Sequence, residues 1–472
     1  MTKHSLTKIV CTIGPASWDE KVLEKLIANG MNLARINASF ADAEELGYVA
    51  DRIRNISNET AILLDLMGHK IRVTGFEDER MLKKGEELIL IPESKDIVNM
   101  PNTIQTTYPN LYKYVRPKNR ILIDDGNIIL VVKQIKAKEV HCVVEEGNVL
   151  KKRKTVNVPN VHLDFPELTE KDRKDIKYGV STNVDYIAGS FIRNKEDALA
   201  IKREMGNSDT KLIAKIEDWE GVEKFDEILE VVDGIMIARG DMGVELPLEK
   251  VPLIQKMMIQ KCRNAGKLAI VATQMLESMR DNHRPTRAEV SDVANAVIDG
   301  TDAVMLSAET STGRFPIQAV QTMNTIANEI EPAVKCTNAV GRTRASEETD
   351  TLCQTVNQYV DSLKLKGVIV ISRTGKTIES ISRHRLRVPI WNITTDMKQL
   401  RQYNVFRGVF GIKIDNLDQD RDTLISHVAE KVYEEGYLKL NDRVAIISGS
   451  CIRNKKTNSI LEITTIKDVL SI

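Results

Sequence analysis

Polar residues that could do chemistry stand at the ends of short apolar runs along this chain. Asp65 closes the run at 61–64, and Lys70 and Arg72 follow it within one short loop. One such cluster is typical of a surface ion pair. Most other apolar runs also end in polar side chains, namely Arg35, Asn37, Ser39, Ser190, Lys215, Glu217, Arg239, Asp241, Thr273, Gln274, Ser307 and Glu309. Solubility alone does not explain this repetition, which indicates a shared pocket.

The types of these residues suit a metal ion and an anion. Glu217 and Asp241 are carboxylates after neighbouring runs, and hard divalent cations such as Mg²⁺ prefer oxygen ligands, although either could equally form a salt bridge. Arg35, Arg72 and Lys215 could neutralise a phosphoryl group or a carboxylate. The glycines of the segment ARGDMG let backbone N–H groups approach an anion closely. A metal ion and several cations around one pocket favour phosphoryl transfer.

The elements that must position these residues alternate between apolar runs and helical patterns. The runs lie at 8–13, 32–36, 61–64, 186–190, 211–214, 234–238, 268–272 and 303–306. About eight strand–helix units over roughly 250 residues predict a (β/α)₈ TIM barrel, in which active sites lie at the C-terminal ends of the strands. We therefore expect a discontinuous barrel domain over residues 1–68 and 165–335.

Two further segments interrupt or follow this repeat. Residues 69–164 contain alternating apolar runs with Asp-Gly and Glu-Gly turns, which predict an inserted antiparallel β-barrel domain. Residues 336–472 contain runs such as GVIVIS and RVAIIS between helical segments. This second pattern predicts a smaller C-terminal α/β domain with a mostly parallel sheet.

The composition argues against several classes of function. Lysine plus arginine and aspartate plus glutamate both number 67 in 472 residues, so we expect no bulk binding to nucleic acid or an acidic membrane. The six cysteines lack metal-site spacing and predict reduced thiols in a cytoplasmic protein. No apolar stretch approaches the ~20 residues of a membrane span, and the amino terminus lacks a signal-peptide pattern.

The chain resembles pyruvate kinases along nearly its whole length. The resemblance is carried by TKIVCTIGPAS, MNLARINAS, KIEDWEGVEKFDEI, IMIARGDMGVELPLEKVPLIQKMMIQKCRNAGK, ATQMLESM and RPTRAEVSDVANAVIDGTDAVMLSAETSTGRFP. It implies transfer of the phosphoryl group of phosphoenolpyruvate to ADP in glycolysis, and protonation of the enolate to pyruvate. It also implies Mg²⁺ or Mn²⁺ as cofactor and a homotetramer of three-domain subunits, in which the inserted domain at 69–164 is a lid over the barrel.

The resemblance assigns the metal and the phosphoryl group to particular residues. Glu217 and Asp241 match the metal ligands of the family. Lys215 matches the lysine that stabilises the transferred phosphoryl group and the developing enolate oxygen. Contacts to the transferred phosphate or to the nucleotide would come from Arg35, Asn37, Arg72 and Lys154, the last of these on the lid.

It also assigns the substrate carboxylate and the proton delivery step. Gly240 and Asp241 would offer backbone N–H groups to the carboxylate, beside Thr273. Thr273 and Ser307 match residues placed for protonation of the enolate, through water. These roles follow from the resemblance alone.

A potassium site of the family falls on the opening cluster. Most relatives carry DTKGPEIR where this chain has DLMGHKIR, and they bind K⁺ through residues that match Asn37, Ser39, Asp65 and the backbone of Leu66. Lys70 stands in place of the usual glutamate, which resembles the branch of the family that works without K⁺. We expect the tethered ammonium of Lys70 to supply the charge of the ion, so that K⁺ is not required.

Three departures from the family leave other functions open. Phe40 replaces a histidine near the nucleotide phosphates, His69 replaces a hinge proline that would fix φ, and Ala308 replaces a glycine. A non-catalytic or altered-specificity pyruvate kinase-like protein therefore stays an alternative. Another is a carbon–carbon lyase acting on a pyruvate-like enolate, which would need neither the lid nor Lys154.

The C-terminal segment contains a candidate anion site. In VIVISRTGKTIESISRHR a strand leads through a turn into a helix, whose N-terminus could bind an anion. A P-loop is excluded because Val370 stands where the glycine five positions before Gly375 is required, and helix capping by Thr374 is the alternative. In the family this turn and a later loop, here GSCIRNKKTNS, bind a phosphorylated effector. We predict such a site at Ser372, Thr374, Gly375, Lys376 and Thr377, with basic residues Arg453, Lys455 and Lys456 nearby.

Overall fold

The chain forms a closed barrel, a sheet inserted into it and a C-terminal sheet. The computed structural model describes residues 5–41, 43–94, 100, 102–335, 339–417, 421–449 and 459–470. In these ranges no helix is long and apolar enough to span a membrane.

The first part of the barrel contributes three strands. It consists of β1 (Lys8–Thr12), α1 (Glu20–Ala28), β2 (Met31–Asn37), α2 (Ala43–Ile56) and β3 (Ala61–Asp65). The strands are rich in Ile, Val and Leu and are largely buried, as expected for a parallel sheet covered on both faces. Asp19 caps α1, because its side chain accepts hydrogen bonds from the N–H groups of Lys21 and Val22.

The inserted sheet follows β3. Its elements are β4 (Val73–Thr74), β5 (Arg80–Met81), β6 (Glu87–Pro92), β7 (Thr103–Thr106), α3 (Leu111–Tyr114), β8 (Arg120–Ile123), β9 (Ile128–Lys136), β10 (Glu139–Glu146), β11 (Val149–Leu150) and β12 (Val156–Asn157). Seven strands take the order β12-β8-β9-β10-β6-β7-β4, and β5 pairs with β11. In β9, Ile128, Leu130 and Val132 alternate with less buried residues, so that one face forms the core of the insert.

This insert is nearly closed and differs from an antiparallel sheet in one pair. Strands β6 and β7 are parallel. Ten residues, 93–102, separate the two strands along the chain, whereas a tight two-residue turn joins only antiparallel strands. Hydrogen bonds from Val73 N to Lys154 O and from Val156 N to Ile71 O, each 2.9 Å, join the two edges. The entry and exit of the insert therefore lie side by side.

The chain then completes the barrel. The elements are α4 (Glu170–Ser181), β13 (Tyr186–Gly189), α5 (Lys195–Met205), β14 (Lys211–Ile216), α6 (Trp219–Glu223), α7 (Phe225–Val231), β15 (Gly234–Ala238), α8 (Arg239–Glu245), α9 (Val251–Ala265), β16 (Leu268–Ala272), α10 (Arg287–Ile298), β17 (Ala303–Leu306), α11 (Ala308–Ser311) and α12 (Pro316–Ile330). The ring order is β1-β17-β16-β15-β14-β13-β3-β2, with all neighbours parallel. The predicted (β/α)₈ barrel is confirmed.

The C-terminal part forms a five-stranded sheet. It consists of α13 (Glu347–Ser362), β18 (Gly367–Ile371), α14 (Lys376–Ser382), β19 (Ile390–Thr394), α15 (Met397–Tyr403), β20 (Val409–Lys413), α16 (Arg421–Glu434), β21 (Arg443–Gly449), β22 (Ser459–Thr465) and α17 (Ile466–Leu470). Its order is β20-β19-β18-β21-β22, and only the β21–β22 pair is antiparallel in the described strands. The predicted mostly parallel sheet is confirmed.

The base of the barrel packs directly on this C-terminal part. Buried ion pairs join them, with Arg401 Nε 2.8 Å from Asp185 Oδ1 and Arg385 Nη2 2.9 Å from Asp302 Oδ2. The free cysteines of the described residues, Cys11, Cys142, Cys262 and Cys353, are all buried. The domain boundaries after residues 68, 164 and 335 stay predictions.

Candidate active site

A cavity of about 530 Å³ opens at the carboxyl ends of the barrel strands. It brings together most of the residues that the sequence singles out. Its lining includes Arg35, Asn37, Ser39, Lys70, Lys215, Glu217, Asp241, Thr273 and Ser307. These residues come from six of the eight strand ends or the loops that follow them, so the closed ring is what makes them neighbours.

Lys215 is the centre of the charged network in this cavity. Its Nζ lies 3.1 Å from Asp65 Oδ1 and 3.2 Å from Glu217 Oε1, and it donates a hydrogen bond of 2.7 Å to Ser190 Oγ. Its side chain is only 9% exposed. Three neighbouring strand ends thus hold one ammonium group in a fixed position, facing the cavity.

Asp65 binds a second cation on its other oxygen. Arg35 donates to Asp65 Oδ2 through Nε at 2.7 Å, and its Nη2 lies 2.6 Å from the same oxygen. Arg35 Nη1 also donates to Thr12 Oγ1 at 2.8 Å, a contact that the sequence reasoning missed. Thr12 ends β1, so the polar strand end was a signal that could have identified it.

The charge state of the network follows from burial and pairing. Burial by itself would raise the pKa of Asp65, but Lys215 and then Arg35 outweigh it, and the pKa falls below its ordinary value. Burial would lower the pKa of Lys215, but Asp65 and then Glu217 outweigh it, and this pKa is raised. Lys215 and Asp65 are therefore both charged near neutral pH.

Glu217 behaves differently from Asp65. Burial raises its pKa to about 7, an effect that the nearby Lys215 only partly offsets and that Asp241 reinforces. Glu217 Oε2 accepts a hydrogen bond of 2.7 Å from the backbone N–H of Phe191. Its Oε1 lies close to Lys215 Nζ but accepts no hydrogen bond in the described part of the chain. A buried carboxylate oxygen is thus left available.

The donor set around this oxygen fits a hard divalent cation. Glu217 and Asp241 supply carboxylates to the same cavity. In the described ranges no group of three or more His, Cys, Asp or Glu residues could hold a metal ion. Mg²⁺ commonly binds through one or two carboxylates, with water and substrate oxygens completing its shell. Two protein ligands are therefore compatible with such a site.

Thr273 stands on a strained backbone beside Asp241. Its φ of 67° is rare for a β-branched residue. Arg239 holds it there, because Nη2 donates to Thr273 O at 2.7 Å while Nη1 pairs with Asp292 at 2.6 Å. Thr273 Oγ1 accepts a hydrogen bond of 2.7 Å from Gly240 N. In this structure the N–H of Gly240 is thus taken up by Thr273 instead of facing the cavity unpaired.

Two predicted phosphate contacts lie on the insert and outside the cavity lining. Arg72 donates through Nη1 to Arg153 O at 2.8 Å, and Lys154 Nζ lies 2.7 Å from Asp124 Oδ1. Both would have to leave these partners, or move with the insert, to reach a ligand bound beside Lys215. The structure therefore does not bring them together with the other predicted residues.

The residues of the predicted monovalent-cation site are engaged with protein groups. Leu66 O accepts a hydrogen bond of 2.7 Å from Ser190 Oγ, and Asn37 Oδ1 accepts one of 3.0 Å from Ser39 N. Lys70 lines the cavity with its Nζ 5.4 Å from the ring centre of Phe191. Among the described ion pairs there is none between Lys70 and Asp65.

The predicted effector turn has a tight local structure. Gly375 adopts a φ of 73°, and a Cβ there would lie 1.9 Å from the ring of Tyr403. Ser372 Oγ accepts a hydrogen bond of 3.0 Å from Gly375 N, whereas no side chain caps α14. Capping by Thr374 is therefore wrong. The loop with Arg453, Lys455 and Lys456 lies outside the described residues.

This fold and site define a barrel enzyme of the phosphotransferase class. Residues 4–320 match the family described as pyruvate kinase, barrel domain, and residues 350–464 match pyruvate kinase, alpha/beta domain. The chain belongs to the pyruvate kinase family.

Curated relatives agree over almost the full length. The pyruvate kinase of Geobacillus stearothermophilus is 40% identical, covering 98% of this chain and 81% of that protein. The pyruvate kinase of Clostridium acetobutylicum is 39% identical, covering 98% and 99%. That of Staphylococcus aureus strain MRSA252 is 39% identical, covering 98% and 81%.

Proposed function

We propose that this protein transfers the phosphoryl group of phosphoenolpyruvate to ADP, in a reaction that depends on Mg²⁺ or Mn²⁺ and yields pyruvate and ATP in glycolysis. The observation that carries the proposal is the convergence of Lys215, Glu217 and Asp241 on one cavity. Membership in the pyruvate kinase family supports it.

Lys215 and Arg35 act on the transferred phosphoryl group. Lys215 is an ammonium held in place by three partners, so it needs little reorganisation when charge develops on the phosphoryl and enolate oxygens. Arg35 is oriented by Asp65 and Thr12, and its planar guanidinium donates hydrogen bonds to the same phosphoryl group. Fixed positive charge in a site with little water stabilises the transition state more strongly than mobile charge does.

Glu217 and Asp241 hold the divalent metal. When bound, the metal neutralises phosphate charge and polarises the substrate oxygens. The available Oε1 of Glu217 supports this assignment. The backbone N–H of Phe191 fixes the other oxygen of Glu217, so one carboxylate orientation is preferred.

Thr273 and Ser307 deliver the proton to the enolate through water. Both line the cavity, and Thr273 lies beside Gly240. The N–H of Gly240 and that of Asp241 bind the substrate carboxylate. Gly240 N now donates to Thr273 Oγ1, whereas the Thr273 hydroxyl itself donates to Ala272 O at 2.6 Å. Substrate binding would exchange the Gly240 hydrogen bond for one to the carboxylate, which would leave Thr273 Oγ1 free to accept a hydrogen bond from a water molecule.

The reaction proceeds without K⁺. Both oxygens of Asp65 already pair with Lys215 and Arg35, so its charge is neutralised by protein cations. Lys70 adds a further tethered ammonium at the same cavity. A bound monovalent cation would have to compete with these fixed charges at short range, which is unfavourable.

The insert contributes Arg72 and Lys154 to the nucleotide phosphates when it closes over the cavity, and Asn37 contributes from the barrel. Phe40 is 85% exposed at the cavity mouth and cannot donate a hydrogen bond to phosphate, so binding of ADP is weaker than a histidine would allow. A cytoplasmic homotetramer and a phosphorylated effector at residues 372–377 complete the proposal, supported by resemblance.

Steady-state formation of pyruvate from phosphoenolpyruvate and ADP by the purified protein, with Mg²⁺ or Mn²⁺ present, tests the proposal. Lys215→Met should abolish transfer while Mn²⁺ binding is retained, because the metal ligands stay in place. Lys174→Met, at an exposed lysine on α4, is the matched control and should keep full activity. Near-normal turnover of Lys215→Met, or Mn²⁺ binding without any transfer by the unmodified protein, would contradict the proposal.

A further inference from the structure

The two linkers between barrel and insert meet around one aromatic ring. The outgoing linker runs between β3 and β4, and the return linker runs between β12 and α4. Phe165 of the return linker stacks on His69 of the outgoing linker, with ring centres 5.1 Å apart. Tyr108 of the insert lies 4.8 Å from the same ring, and its hydroxyl donates to Asp164 O at 2.7 Å. Phe165 of the return linker therefore contacts both the outgoing linker and the insert.

Arg193 connects Phe165 to the barrel. Its guanidinium carbon lies 4.4 Å from the centre of the Phe165 ring, and Nη1 donates to Leu163 O at 3.0 Å. The side chain is only 14% exposed, so the cation–π contact is partly shielded from water and correspondingly strengthened. Its Nε lies 3.6 Å from Asp218 Oδ2. Arg193 thus contacts the return linker and the residue directly after Glu217.

The segment that carries Arg193 also contacts Glu217 directly. Two residues before Arg193, Phe191 donates its backbone N–H to Glu217 Oε2 at 2.7 Å. Phe191 has a φ of 54°, a left-handed conformation that costs energy for a bulky residue and persists only where neighbours hold it. A displacement of Arg193 would therefore reach Glu217 by two routes, through Phe191 and through Asp218.

The surroundings leave room for such a displacement. A cavity of about 160 Å³ lies against Phe165, His69 and Arg193. This cavity is open to solvent, so space beside the return linker lets the linker shift without repacking the barrel.

We propose that Arg193 is a positioning residue that couples the orientation of the inserted domain to the carboxylate of Glu217. When the insert moves, the return linker carries Phe165 and Leu163 with it, and Arg193 follows because it is bound to both. The shift reorients the Glu217 carboxylate. This inference rests on the proposed function, because it takes Glu217 as a metal ligand.

The test measures Mn²⁺ affinity by electron paramagnetic resonance, without substrate or nucleotide, in four proteins. These are the unmodified protein, Arg193→Lys, Phe165→Leu and the double variant. Arg193→Lys keeps the charge but loses the planar guanidinium that stacks on the ring and donates to Leu163 O. Phe165→Leu keeps an apolar side chain but loses the ring. Arg173→Lys is the matched control, because Arg173 on α4 is 45% exposed and pairs with Glu204 on α5 rather than with a linker.

Each single variant should weaken Mn²⁺ binding roughly fivefold to tenfold, the size expected when a partly buried cation–π contact is lost. The double variant should be no weaker than the worse single variant, because both changes break the same connection. In turnover assays kcat should fall more than the KM for phosphoenolpyruvate rises. Arg173→Lys should match the unmodified protein.

Mn²⁺ affinities within twofold of the unmodified protein in both single variants, or multiplicative losses in the double variant, would overturn the inference. Thermal melting of each variant shows whether a loss of Mn²⁺ affinity comes from misfolding. If Arg193→Lys is unfolded, the Mn²⁺ affinity of Phe165→Leu decides the test. Mn²⁺ binding is measured without turnover. If the proposed phosphoryl transfer fails but this inference holds, no product forms, while the variants still show the expected changes in Mn²⁺ affinity. The two failures are therefore distinguishable.

Discussion

Asp65 is the residue whose replacement most directly tests the electrostatic reasoning. In Asp65→Asn the shape is preserved, but Lys215 and Arg35 lose the carboxylate that lies 3.1 Å and 2.6 Å from them. Both cations are less than 10% exposed, so water cannot replace the lost charge. Breaking a buried ion pair on one side typically costs about 3–5 kcal/mol, because an uncompensated charge is left behind.

The expected result is a fall in melting temperature of at least about 6 °C, since 1 kcal/mol shifts the midpoint of a domain of this size by roughly 2–4 °C. Asp226→Asn is the matched control. Asp226 pairs with Lys261 at 2.6 Å, but its side chain is 75% exposed, and such surface pairs contribute about 0–1 kcal/mol. Scanning calorimetry of both variants at pH 7 measures the difference.

The pH dependence provides a second measurement on the same variant. The raised pKa of Lys215 means that its pairing stabilises the fold fully below the ordinary lysine value of 10.5 and is lost as the pH rises through the higher folded value. The lowered pKa of Asp65 means that its contribution is present above 3.8 and is lost as the pH falls through the lower folded value. In Asp65→Asn burial dominates at Lys215, so the alkaline limit of stability should move to lower pH.

Equal melting temperatures for Asp65→Asn and the unmodified protein between pH 7 and pH 10 would refute this reasoning. An equal loss in Asp226→Asn would also contradict it, because the effect would then not depend on burial.

Three further substitutions test other parts of the site and fold. Lys70→Glu should create a saturable K⁺ requirement in the turnover assay, whereas the unmodified protein should work equally in sodium, potassium and tetramethylammonium salts; a K⁺ requirement in the unmodified protein would contradict the charge-replacement hypothesis. Phe40→His should lower the KM for ADP several-fold through a new charge-assisted hydrogen bond to phosphate. An unchanged KM would show that residue 40 does not affect ADP binding. Gly375→Ala should lower the melting temperature by several degrees, because the Cβ would overlap the Tyr403 ring at a φ of 73°; an unchanged melting curve would show that the turn adapts.

Much of the site could be predicted because barrel strands follow a simple rule. Lys215 and Glu217 follow one apolar run, and Asp241 follows the next. In a parallel barrel every such strand end points to the same face, so the cavity could be inferred without knowing any contact. The same rule predicted Ser307 and Thr273 at the cavity, where both are found.

The partners of these residues could not be predicted in this way. Arg72 was placed with Asp65 and Lys70 because they share one short loop, yet its side chain contacts Arg153 on the insert. Gly240 was expected to present its N–H to a ligand, but the strained Thr273 accepts it. Both outcomes depend on backbone directions that apolar periodicity does not encode.

The sequence by itself determined the alternation of strands and helices, the inserted and C-terminal sheets, and the set of polar residues at the strand ends, because periodicity and turn residues act locally. Only the tertiary structure decided that Asp65 joins Lys215 and Arg35, and that Arg193 joins Phe165 to the loop of Glu217. The physical reason is ring closure. Strand β3 becomes the neighbour of β13 although the whole insert separates them along the chain, and charges then interact over a few ångströms in a buried site where their attraction is strong.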